Sequence, residues 1–299
     1  MFAAPHELTL ELWTELPVEF HASGRESDWF FGKDHKTHSF LEGPAFDREG
    51  HLWVSDIPFG RLFRVSPAGT WTLAAEYDGE PNGLAFDAQG RLFIADHRRG
   101  LMVLEKPPSG EVQSFLPRVR REGFRGLNDL IFDKAGDLYF TDQGQSGLQD
   151  PSGRLYRLRH ATDQLDCVLD GIPSPNGLVL SPDERHLLLA VTRANQVWRL
   201  PIHPDGTTSK VAAFIQLSGG FAGPDGLAMH QDGRLAVAHC GLGTVWLFSR
   251  LGEPLLRLRA PRGLSTTNLC FGGPQGRTLY VTESDTGAIL RAEVPDATS

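Results

Sequence analysis

One pattern constrains this chain more than any other: a strand–turn–strand unit that recurs six times. The first copy reads Glu42-Gly-Pro-Ala-Phe-Asp-Arg-Glu-Gly-His-Leu-Trp-Val-Ser-Asp56, and Asn82–Asp96 and Asn128–Asp142 repeat it almost position for position. Asn176–Ala190, Asp225–His239 and a looser Asn268–Glu283 complete the set, with starts 40 to 49 residues apart. That period is too long for one hairpin and fits a four-stranded propeller blade. Third strands follow at Gly60–Val65, Gly153–Leu158 and Thr244–Phe248, and fourth strands at Trp71–Ala75 and Leu165–Leu169. Gly50, Gly90, Gly136 and Gly233 fall at the hairpin tips, where a tight connection needs positive φ.

The last copy ends with Ala288–Glu293, one strand short, while a strand-like segment at about 7–14 precedes the first. The predicted fold is therefore an all-β, six-bladed propeller in one domain spanning 1–299. Its N-terminal strand closes the last blade and removes an exposed sheet edge. No Trp-Asp dipeptide ends a blade.

Composition narrows the functional classes. Hydrophobic residues at 40% and charged residues at 22% exclude global disorder. A net charge of −8 argues against a general nucleic-acid binder, which needs a basic surface. Cys167, Cys240 and Cys270 form neither a disulfide framework nor a CxxC zinc pair, and the expectation is buried, inert thiols. No uncharged apolar run reaches the roughly 18 residues of a membrane span. Met1–Phe20 carries Glu11 and Glu15 and has no signal-peptide pattern. A cytoplasmic protein without membrane or nucleic-acid partners, monomeric or weakly homo-oligomeric, is expected.

Propeller geometry brings the first strand of every blade to the central channel. The repeat begins with Glu42, Asn82, Asn128, Asn176, Asp225 and Asn268, each a carboxylate or a carboxamide. An oxygen-rich ring suits a hard cation such as Ca²⁺, and the lack of His and Cys in it argues against zinc. The competing reading is turn chemistry, because Asn-Gly and Asp-Gly are common turn dipeptides.

Glu42-Gly-Pro, Asn128-Asp129, Pro175-Asn176-Gly and Pro224-Asp225-Gly resemble the motifs of the SMP-30/gluconolactonase/LRE-like family, over about residues 8–295. The resemblance implies a six-bladed, divalent-metal-dependent lactonase. It makes Glu42, Asn176 and Asp225 metal ligands, Asn128 a further ligand or substrate hydrogen-bonder, and Asp129 a ligand or neighbour of one. Ca²⁺ is favoured, with Mg²⁺, Mn²⁺ and Zn²⁺ open. Asp225 is expected to act as general base, or else as nucleophile, and Asn128 to hydrogen-bond the substrate. Animal members place an Arg two residues before the third-blade Asn, where this chain has Gly126, with Arg125 one residue further back.

Asn82, Arg125 and His38 are further candidates near the substrate. The segment 20–39, with Trp29, Phe30, Phe31, His35 and His38, reads as a lid or a surface loop. Asp56, Asp96, Asp142 and His239 are expected to make blade-to-blade hydrogen bonds or to terminate strands. Gln143–Gly153 is expected to shape specificity, Arg118–Arg125 to be a solvated loop, and Trp198 and Trp246 to lie in inter-blade core. The leading function is hydrolysis of a small lactone, sugar-derived by preference. Organophosphate or aryl-ester hydrolysis at the same ion is the enzymatic alternative. A non-enzymatic NHL-like propeller is the other, since Pro81-Asn-Gly-Leu-Ala-Phe-Asp resembles that repeat, and a strictosidine-synthase-like propeller is a fourth reading. A scaffold repeat has little reason to place Glu at 42 and Asp at 225 where other copies carry Asn.

Overall fold

The computed structural model describes residues 2, 4–30 and 37–295. Its strands form six blade sheets, here blades I to VI, arranged as a propeller, and one small two-stranded hairpin. The innermost strands are Leu41–Phe46, Pro81–Phe86, Leu127–Phe132, Pro175–Leu180, Gly223–Met229 and Thr266–Gly272. Each pairs with the second strand of its own blade, and in every case the register slips by one residue near the start of the inner strand. Such bulges re-aim side chains, and here they sit at the residues singled out above. The four hairpin glycines all take positive φ, from 80° at Gly50 to 89° at Gly136.

Ring closure uses two N-terminal strands rather than one. Glu11–Glu15 pairs antiparallel with Ala288–Glu293 and supplies the fourth strand of blade VI. His6–Thr9 pairs parallel with Pro254–Arg259 and adds a fifth strand to blade V. The segment at 7–14 thus closes the ring as expected but also straddles two blades.

Alternating apolar residues on both faces of the sheets pack blade against blade. Six buried clusters result, one for each interface; Trp53 and Leu62 of blade I meet Leu84, Ile94 and Met102 of blade II, for example. The closing interface buries Leu16 and Ile289 against Leu41, Val54 and Phe63. Trp198 and Trp246 are half-buried at the edges of two clusters. Hydroxyls then fasten neighbouring blades. Ser55 Oγ donates to the Asn82 carbonyl at 2.6 Å, Thr141 Oγ1 to that of Asn176 at 3.0 Å, and Thr267 Oγ1 to that of Leu41 at 2.8 Å.

The strand-end carboxylates work within a blade, not between blades. Asp56 accepts from Phe40 N, Asp96 from Glu80 N, and Asp142 from Arg125 N and Gly126 N. Each ties down the loop that leads into its own inner strand. His239 takes the equivalent place in blade V, with Nε2 3.1 Å from the Gly219 carbonyl. Cys167 is exposed, contrary to expectation, while Cys240 and Cys270 are half-buried. The Arg118–Arg125 run is a small hairpin, Arg118–Val119 against Glu122–Gly123, leading into blade III.

Candidate active site

The bulges bring Glu42, Asn82, Asn128, Asn176 and Asp225 to the same point of their inner strands. All five are buried, at 2% to 8% exposure. The dipeptide glycines are not turn glycines. A Cβ on Gly177 would lie 2.6 Å from the Asp225 carbonyl oxygen, and one on Gly43 would lie 2.3 Å from that of Asn82. Inner strands pack so closely around the axis that only hydrogen fits there.

Blade VI corrects the expected ring. Pairing of Thr266 with Glu283 matches that of Leu41 with Asp56, so Thr267 is the counterpart of Glu42. Asn268 therefore stands one residue further on, at the register of Asp129 in blade III. The two side chains at this register meet near the axis: Asn268 Nδ2 lies 2.9 Å from Glu42 Oε2 and 3.5 Å from Asp129 Oδ2. Each also folds over its own strand, Asp129 Oδ1 accepting from Leu130 N and Asn268 Oδ1 from Leu269 N, both at 2.8 Å.

Three carboxylates thus share one buried space. Burial raises the Glu42 carboxyl well above its usual range, and repulsion from Asp225 and Asp129 adds to that. Burial likewise lifts Asp129 and Asp225 to about 7. Donors from Cys240 and Asn176 and the charge of Arg193 partly offset the shift at Asp225. Asn82 Oδ1 and Asn176 Oδ1 are buried without a hydrogen-bond partner among the described residues. Concentrated negative charge with unused amide oxygens is the donor set of a hard divalent cation, so these residues fit the metal that the family resemblance implies. A separate group, Asp47, Glu49 and His51, lies in the blade I hairpin. Arg64 already occupies it, at 2.9 Å from Asp47 and 2.5 Å from Glu49.

Beside the axis, a cleft of about 540 Å³ is lined by Trp29, His97, Gln143, Ser174 and Arg193 among others, a size suited to a small molecule. Asn128 connects the cleft to the axis, its Nδ2 donating to Gln143 Oε1 at 3.1 Å, and Gln143 Nε2 donates to Ser174 Oγ at 2.9 Å. Gly126 has φ of 147°, and a Cβ there would lie 2.3 Å from His97 Cε1. His97 thus fills the space that any side chain at position 126 would need.

Other candidates have different surroundings. Arg125 is exposed and contributes its backbone N–H to Asp142. His38 stacks on His21 at 3.8 Å and touches Ser39, outside the axial set. From the proposed lid, Trp29 reaches the cleft and packs edge-on to His97 at 5.3 Å. Residues 31–36, with Phe31 and His35, lie outside the described residues. Sequence reasoning missed Gln143, Ser174, His97 and Arg193 as cleft residues, although the loop Gln143–Gly153 was marked. Arg193 follows the fourth repeat copy by three residues, and that offset was the signal available.

The profile of the SMP-30/Gluconolactonase/LRE-like region matches residues 40–285. Lactonase drp35 of Staphylococcus aureus is 29% identical over 230 residues, covering 74% of this chain and 70% of that protein. A gluconolactonase structure from Xanthomonas campestris superposes with a TM-score of 0.75 at 24% identity, over 86% of both chains. Regucalcin from Agrobacterium tumefaciens, described as a calcium-binding protein, gives 0.75 at 22% identity over 97% of this chain and 95% of that one. No helix among the described residues is long and apolar enough to cross a membrane. The repeat, the ring and these matches place the chain in the SMP-30/gluconolactonase/LRE-like family, as a lactonase-family enzyme.

Proposed function

We propose that the protein opens a small, sugar-derived lactone with the help of one divalent cation, Ca²⁺ by preference. The observation that carries this reading is the buried meeting of Glu42, Asp129 and Asp225 with the unpartnered amide oxygens of Asn82 and Asn176. Glu42, Asn176 and Asp225 would hold the ion, with Asn128 and Asp129 beside them. Bound there, a divalent cation supplies Lewis-acid stabilisation of the oxyanion formed at the lactone carbonyl.

The chain's own residues do the rest. Asp225 takes the proton of the attacking water, a role open to a carboxylate oxygen beside the ion. Asn128 keeps one amide N–H on Gln143 and turns the other toward the substrate oxygen. Trp29 and His97 form an aromatic wall that shields one side of the cleft from water. Asn268 holds Glu42 in place by its 2.9 Å hydrogen bond.

The test is ring opening of a lactone panel, followed by proton release, after chelation and after return of Ca²⁺, Mg²⁺, Mn²⁺ or Zn²⁺. Activity should vanish with chelator, return with metal and be lost in Asp225→Ala. Full turnover in excess EDTA, or near-wild-type turnover by Asp225→Ala, contradicts the proposal. Hydrolysis of organophosphates or aryl esters but of no lactone would shift the assignment to the esterase alternative.

A further inference from the structure

Arg193 is the cleft residue to which the catalytic reading gives no task beyond the pull of its charge on Asp225. Its backbone is fixed. Thr192 Oγ1 donates to the Pro224 carbonyl at 2.8 Å, Thr192 N to that of Ser174 at 3.0 Å, and Asn195 N to that of Thr192 at 3.0 Å. Asn195 ends this turn in the left-handed region, at φ of 55°. The turn therefore stands against the residue that precedes Asp225. Its side chain is exposed in the cleft and forms no ion pair or hydrogen bond with any described residue.

Arginines around the neighbouring cleft of blades I and II behave differently. Arg61 is locked to Asp56 at 2.5 Å, Arg25 pairs with Glu76 at 2.8 Å, and Arg98 pairs with Asp78. A guanidinium on a rigid turn, unpaired and facing a small-molecule cleft, is arranged to receive an anion from outside. Its planar fork matches a carboxylate. Among the described residues that line the cleft, a phosphate dianion would meet only this one cation.

Building on the lactonase reading, we propose that the substrate is a lactone bearing a separate carboxylate, and that Arg193 binds that carboxylate and sets specificity. Hydrolysis then breaks the acyl C–O bond of the ring and joins the water oxygen to the acyl carbon. The ring oxygen gains a proton to become a hydroxyl, and the new acid ionises, so the product is a hydroxy-dicarboxylate. No oxidant or further reactant is required.

The experiment compares a hexaric-acid monolactone with the matching neutral hexonolactone, using the metal-loaded protein, Arg193→Gln and Arg193→Lys. The wild type should favour the acid-bearing lactone about tenfold or more in kcat/KM. Arg193→Gln should bring that ratio close to one through KM, and Arg193→Lys should keep part of it. An equal loss on both lactones, or no preference in the wild type, overturns the inference while leaving lactonase activity standing. Preference for a phosphorylated lactone overturns the carboxylate assignment. If no lactone is opened, the function itself fails, and calorimetry of hexarate binding to metal-free and calcium-loaded protein decides the role of Arg193. At least tenfold weaker binding by Arg193→Gln supports an anion receptor, and unchanged binding refutes it.

Discussion

Two sets of carboxylates lie on adjacent strands of the same blades and have opposite surroundings. Asp56, Asp96 and Asp142 end second strands and accept hydrogen bonds from backbone N–H groups, with Arg61 added at Asp56 and Tyr77 at Asp96, and only Asp142 Oδ2 is left without a partner among the described residues. Glu42, Asp129 and Asp225 begin inner strands across the ladder and face one another with few donors. The first set is consumed by the fold. The second is left with unspent charge, which is why we propose it as the functional set. Residue type alone does not separate them; the supply of donors does.

Substitutions should break this contrast in opposite ways. The largest effect is expected for Asp225→Ala, with kcat down about 10³-fold or more while the fold is retained. Circular dichroism and thermal melting alongside the lactone assay check both halves. Next comes Asp56→Ala, which strands the buried Arg61 and should cost about 3–5 kcal/mol in denaturant unfolding. Loss of activity there should follow loss of folded protein.

The register correction in blade VI gives a finer test. Asn268→Ala removes the donor to Glu42 and should weaken metal binding by about tenfold or more, measured by calorimetry. Thr267→Ala removes a blade-to-blade hydroxyl bond and should cost only about 1 kcal/mol of stability. If Thr267 rather than Asn268 controls metal affinity, the register is wrong.

A last test is a pH trend in metal-free protein. Asp129 titrates near 7 when folded, above its unfolded value, so its folded state favours the protonated form. That stabilisation is complete below about pH 4 and is lost as pH rises through 7. Metal-free Asp129→Asn should therefore melt at a higher temperature than wild type at pH 8 and show little difference at pH 4. A constant difference across that range would contradict the shift.

The blades were legible because hairpin glycines and alternating apolar residues repeat at local spacing. Gly50, Gly90, Gly136 and Gly233 mark the tips, and the structure places each at positive φ. The inner-strand acids were legible for the same reason, since Glu42 and Asp225 replace Asn in a register visible by alignment of copies. Asn268 was misplaced by one because both Thr267 and Asn268 are polar, and only the pairing of Thr266 with Glu283 sets the frame. The cleft was harder to read. His97, Gln143 and Arg193 come from different inter-strand loops, and their meeting depends on how blades II, III and IV lean together. Asp56, Asp96 and Asp142 terminate their strands, one of the two roles expected, but make no blade-to-blade bonds, because a carboxylate's donors lie in loops that have no repeat pattern.

The strap formed by the N-terminal strands has a consequence for the order of assembly. Glu11 meets Arg291, and Glu42 meets Asn268, across nearly the whole length of the chain. During synthesis the Glu11–Glu15 strand must wait for the last blade, and contacts so distant in sequence form slowly. The Glu42–Asn268 side of the ion site is completed only when that wait ends. Tight cation binding would then report that the circle has closed, and a partly made chain would not sequester the ion prematurely.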